Sequence, residues 1–252
     1  MTSLARAHRE KMLAAQLAGP ALSASAPVAP DIDDGDPASA EYRALLAALH
    51  NDLRSLSDVQ SVEARGPMKA GMAQTYAAWV DGALMAGAGG AAKQDEIVVT
   101  QMIWAIDYRD FPRALDIAEH AIRYGLALPA RYERTVGCLV AEDIATIALN
   151  EPAAVPREVL DRTAEITAAE DMPDQARAKL SKAIGRAYAT AAAAFDPEAD
   201  NAIAGGKAAL LTGALAALRR ALELDRKVGV KKDIEQLERR LGELAAPPPA
   251  AE

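Results

Sequence analysis

The chain has 252 residues, 51% of them hydrophobic but only 4% aromatic, and a formal net charge of -8. Its apolar content is mostly Ala, Leu, Ile and Val, which favours helices and disfavours a sheet core. The acidic balance excludes a protein that coats nucleic acid by bulk charge, so any such contact must come from a local basic patch.

Cys138 is the only cysteine, which excludes an intrachain disulfide and a thiolate metal cluster. His8, His50 and His120 are too scattered for a histidine metal site. Together these features read as a reduced cytosolic protein. The N-terminal charges Arg6, Arg9 and Lys11 are not followed by a sustained apolar run, so a signal peptide is not expected. No stretch approaches ~18 uninterrupted apolar residues, so no membrane span is expected either.

Residues 1–17 read as a basic amphipathic segment, with Arg6, His8, Arg9 and Lys11 between Leu4, Met12, Leu13 and Leu17. Residues 18–40 are rich in Pro, Ala, Ser and Asp and read as a flexible linker. Tyr42, Leu46, Leu49, Leu53 and Leu56 then step by four and three, the seam of an amphipathic, coiled-coil-like helix assigned to residues 41–66 and to self-association.

A central helical domain is expected over 67–196. Pro67 reads as the opening of a helix carrying Met72, Tyr76, Trp79, Val80 and Ala83 on one face, ended by the run from Gly87 to Gly90. Asp95 is a cap for an apolar helix with Ile97, Val98, Met102 and Ile103. Pro112 stands where a first-turn proline belongs and Gly125 where a C-terminal cap belongs, which gives a helix over 111–124.

Another helix is expected over roughly 134–149, and Pro156 opens the next. Asp171-Met-Pro-Asp174 is a further helix start, and Asp196-Pro197 ends that helix. Residues 197–244 hold two stepped leucine patterns, Leu211, Leu215, Leu218, Leu222 and Val230, Ile234, Leu237, Leu241. Divided at Gly229, they predict an αα-hairpin. Residues 245–252, with a proline run, read as a disordered tail. The expected fold is all-α: helical hairpins packed in a bundle, with a long N-terminal amphipathic helix.

The residues point to no catalytic group. No G-x-x-x-x-G-K-[ST] phosphate loop is present. Pro173-Asp174 and Asp225-Arg-Lys227 can be set against the P-D…D-x-K pattern of many nucleases, but both lie in helical sequence rather than on adjacent strands. The acidic pairs Asp95-Glu96 and Glu142-Asp143 read as helix ends. No metal site and no cofactor are expected.

Three basic groups are candidates for phosphate contact. The first is Arg6, Arg9 and Lys11. The second is Arg123, Tyr124, Arg131, Tyr132 and Arg134, where aromatics between arginines can stack on bases or line a backbone groove. The third is Lys179, Lys182 and Arg186, one helix face. Lys231, Lys232, Arg239 and Arg240 alternate with Asp233, Glu235 and Glu238 and read as an ordinary mixed-charge surface.

Several blocks resemble the small terminase subunit of P2-like tailed bacteriophages, often labelled the terminase endonuclease subunit. They are Trp79-Val-Asp-Gly82, Met102-Ile-Trp104, Ala114-Leu-x-Ile-Ala118 and Ala121-Ile-Arg-Tyr-Gly-Leu-x-x-Pro129, then Asp171-Met-Pro-Asp-x-x-Arg-Ala-Lys-Leu180 and Gly229-Val-Lys-Lys-x-Ile-Glu-x-Leu-Glu-Arg239. The resemblance spans about Ala70 to Leu241. It implies a subunit that binds the cohesive-end site of double-stranded phage DNA and delivers it to the large ATPase subunit in the cytoplasm of the bacterial host. It also implies a homo-oligomer, by analogy a ring. The alternatives are a chain that itself cuts DNA and a helical-hairpin adaptor that binds only proteins.

Overall fold

The structure is a computed structural model and describes residues 37–90, 92–198, 203 and 205–245. The segment 1–17 with Arg6, Arg9 and Lys11, most of the predicted linker and the 246–252 tail lie outside the described residues. The described residues form helices and connecting turns, with no strand among them. The all-α expectation is met. No described helix is long and apolar enough to cross a membrane.

The first helix, α1 (Pro37–Asp58), starts within the predicted linker. Leu49 and Leu56 are buried in the chain's own core, while Tyr42, Leu46 and Leu53 pack against it half-buried. Tyr42 lies 5.5 Å from the Trp79 ring, and its hydroxyl accepts from the Glu96 backbone N–H at 3.4 Å. The leucine seam therefore faces α4 and α3 of the same molecule.

Pro67 does not open a helix. Helix α2 (Val62–Ala73) starts earlier, because the Ser61 side chain accepts from the Ala64 N–H at 3.2 Å and caps it, leaving Pro67 inside. A 3₁₀ turn, Gln74–Tyr76, joins it to α3 (Ala77–Ala88), and Tyr76 and Val80 point inward as the spacing predicted.

Helix α4 (Glu96–Asp107) forms the centre: every residue from Ile97 to Ile106 is buried. A helix so largely apolar is stable only when other elements enclose it, and here they bury Thr100 and Gln101 along with the apolar side chains. Its principal neighbour is α5 (Phe111–Arg123), and α1, α2, α3 and α6 (Val136–Asn150) cover the rest. Helix α7 (Arg157–Ile166) packs over α5, α6 and α8.

The long helix α8 (Asp174–Ala194) joins two cores. Its Leu180 and Ala183 belong to the large core, and its Ala192 to a second cluster with Leu211, Leu218, Val230 and Leu237. That cluster is the predicted hairpin, α9 (Gly206–Leu224) and α10 (Lys231–Ala245), which turns at Gly229 with φ 77°. Among the described residues α8 and α9 form the most extensive helix pairing, and glycines let them approach closely. A Cβ at Gly185 would lie 2.6 Å from Leu218, and one at Gly213 would lie 2.9 Å from the Tyr188 ring. The alanine-rich, aromatic-poor composition thus serves close helix approach.

Candidate nucleic-acid interface

The loop between α5 and α6 carries the second basic group, and hydrogen bonds fix its course. Gly125, with φ 63°, ends α5: the Leu126 N–H donates to Ala121 O at 2.8 Å and the Gly125 N–H to Ile122 O at 3.1 Å. Buried Leu126 pins this end. The Gln94 side chain then holds both backbone groups of Ala127, accepting from its N–H at 2.7 Å and donating to its carbonyl at 2.8 Å. The Tyr132 N–H closes a turn onto Pro129 O at 2.9 Å, and Thr135 caps α6 by accepting from the Cys138 N–H at 3.2 Å.

On this frame the five predicted residues separate. Arg123 and Arg131 are exposed. The guanidinium of Arg131 lies 4.9 Å over the Tyr132 ring, and among the described residues no carboxylate lies within 4 Å of it. A cation over an aromatic face is a ready surface for a phosphate or a base. Among the described residues Arg123 reaches one carboxylate, Glu119, at 3.7 Å and in the open, and Glu119 also meets Arg162 at 3.2 Å. Such an exposed pair is weak and exchanges readily.

Tyr124 and Arg134 face inward. Tyr124 donates its hydroxyl to the Gly87 carbonyl and lies 5.0 Å from the His120 ring. Arg134 pairs with Glu142 at 2.7 Å and Asp143 at 3.3 Å. Glu142 also accepts from Lys179 at 3.0 Å. Bonding to Lys179, reinforced by Arg134, holds the Glu142 carboxyl below the usual carboxylate range, whereas burial pushes that of neighbouring Asp143 up. This acidic pair sits mid-helix in α6, not at a helix end. Its role is to join the loop, α6 and α8.

The third group is likewise engaged within the chain. Lys179 bonds Glu142, Lys182 donates to Val228 O at 2.7 Å, and Arg186 pairs with Asp233 at 3.0 Å. One face of α8 is indeed basic, but its cations bond to groups of α6 and of the α9–α10 region.

Among the described residues no three His, Cys, Asp or Glu side chains converge as a metal-binding group. Asp95 caps α4, as its sequence position predicted. Asp174 starts α8, and Asp225 ends α9, where its carboxylate accepts from the Lys227 N–H at 2.8 Å. Sequence reading passed over Arg226 and took Lys231 and Lys232 as half of a balanced surface. The only clue available there was the count of cations around Gly229, because the engagement of Asp233 depends on a helix far away in sequence.

A model of the phage small terminase subunit family matches residues 46–175. The chain is also similar to the terminase endonuclease subunit of Escherichia phage P2, at 38% identity over 213 residues, covering 83% of this chain and 78% of that protein. No solved structure matches it.

Proposed function

The chain belongs to the phage small terminase subunit family and so has a role in phage DNA packaging, and from that premise we propose that it recognises the cohesive-end region of concatemeric phage DNA and delivers it to the large ATPase subunit. In this reading the exposed Arg123 and Arg131, with the Tyr132 ring beneath Arg131, meet the duplex backbone, and Arg6, Arg9 and Lys11 add a further contact. The observation that carries it is Arg131: a guanidinium held on an aromatic face, with no carboxylate within 4 Å among the described residues, in an acidic chain.

Copies of the chain associate in this reading, so that a modest patch is multiplied by multivalency. Leu49 and Leu56 are committed to the chain's own core, so self-association draws only on those parts of Tyr42, Leu46 and Leu53 that remain exposed after they pack against that core. The host cytoplasm is the setting.

A second reading, in which this chain itself cuts the DNA with a divalent metal, is favoured by the name of the phage P2 relative. A gel-shift titration of the purified chain with Mg²⁺, at several salt concentrations, separates the two. It compares a cohesive-end duplex with a scrambled one. A selective, salt-sensitive shift without cleavage supports recognition. Site-specific cleavage establishes the second reading, and no shift at low salt overturns both in favour of a protein adaptor.

A further inference from the structure

We propose that the turn between α9 and α10, through Arg226, Lys227, Lys231 and Lys232, is a docking surface for the phosphate backbone of duplex DNA. The inference rests on the DNA-recognition reading above and adds a contact site outside the α5–α6 loop.

The turn is rigidly built. Asp225 accepts from the Lys227 N–H at 2.8 Å, Gly229 takes φ 77°, and fully buried Val230 anchors the start of α10. From behind, the Lys182 ammonium donates to Val228 O at 2.7 Å. Arg186 takes Asp233, the acid of α10's first turn, at 3.0 Å.

What remains on the outside is unbalanced. Arg226, Lys227, Lys231 and Lys232 are exposed, and among the described residues none has a carboxylate within 4 Å. Along the body of the same hairpin three of the four arginines pair: Arg219 with Glu238 at 2.7 Å, Arg220 with Glu223 at 3.1 Å and Arg239 with Glu243 at 3.8 Å, while Arg240 has no carboxylate within 4 Å among the described residues. Three of the four arginines on the hairpin body are thus matched, whereas the four cations at its tip are not. The nearby acids are Asp225, turned to the Lys227 N–H, Asp233, held by Arg186, and Glu235 further along α10.

The negative end of α9 and the positive end of α10 meet in this turn and largely offset each other, so the excess positive charge lies in the four side chains. In a chain of net charge -8, such a tip is the part a polyanion would approach. Lysines act as point charges on phosphates, and residues 225–232 contain no aromatic that could stack on an unpaired base. The chemistry therefore suits the backbone of a duplex, read for position rather than sequence.

The test is equilibrium binding of the full chain carrying Lys231→Gln and Lys232→Gln to a cohesive-end duplex and to a scrambled duplex. Binding is read by fluorescence anisotropy from about 50 to about 200 mM salt. Both lysines are exposed, so the melting temperature should stay that of the wild type. The expected result is a loss of about tenfold or more for both duplexes, with the log–log salt slope shallower by about 2, near 0.9 per phosphate contact. An unchanged affinity and slope, beside a wild type that binds, overturns the proposal while leaving the recognition reading intact. Wild-type protein that binds neither duplex overturns both. Unchanged DNA binding with lost retention of the large subunit would make the tip a protein contact and also overturn it.

Discussion

Trp79 donates its indole N–H to Asp95 Oδ2 at 2.7 Å, while Asp95 Oδ1 accepts from the Val98 backbone N–H at 3.0 Å. One carboxylate thus joins α3 to the start of α4, the helix at the centre of the large core. Replacing Asp95 with Ala removes the cap, worth about 1 kcal/mol, and strands a half-buried indole N–H at a further 1–3 kcal/mol or so. Urea unfolding should show a loss of about 2–4 kcal/mol for Asp95→Ala, with a smaller loss for Asp95→Asn, whose side-chain oxygen still caps. Equal losses for the two variants would show that the cap contributes nothing.

Gly87 lies inside α3 against the His120 ring, where a Cβ has no room, and Tyr124 bonds its carbonyl. Gly87→Ala should destabilise by about 1–3 kcal/mol, as overpacking of a fitted core does. Adding His120→Ala should return part of that loss, because the ring is what the new methyl meets. A double-mutant cycle from denaturation curves measures this coupling; additive losses would show that the clash is relieved elsewhere.

Glu142 has a folded-state pKa below its unfolded one, since Lys179 and Arg134 favour its charged form. Its contribution is therefore fully present above the ordinary carboxylate range and disappears as pH falls through the depressed folded value. The group is about a third exposed, so the effect is modest. Glu142→Gln should lower stability by on the order of 1 kcal/mol at neutral pH. The gap from wild type should close below about pH 4. Melting curves across that range check the sign; a gap that widens on acidification would contradict it.

Much of the fold was legible because local rules governed it. Asp110 caps α5 one residue before Phe111-Pro112, and Gly125 ends that helix in a left-handed conformation. The αα-hairpin followed from its leucine spacing and Gly229. Pro67 misled because the Ser61 cap starts α2 earlier and the helix accommodates the proline. The site was harder to read. The spacing of Lys179, Lys182 and Arg186 shows that they share a face, but not that Glu142 and Asp233, 37 and 47 residues away from Lys179 and Arg186, meet that face. Which cations remain open to a ligand depends on long-range packing, and a spacing rule carries no information about that.

The recognition role is tested most directly by footprinting a phage DNA fragment that spans the cohesive-end site with the purified chain and Mg²⁺. Protection of one continuous stretch beside or across that site, with the fragment left uncut, is the expected result. A fragment cut at a defined position by this chain alone, or one protected nowhere, would contradict it.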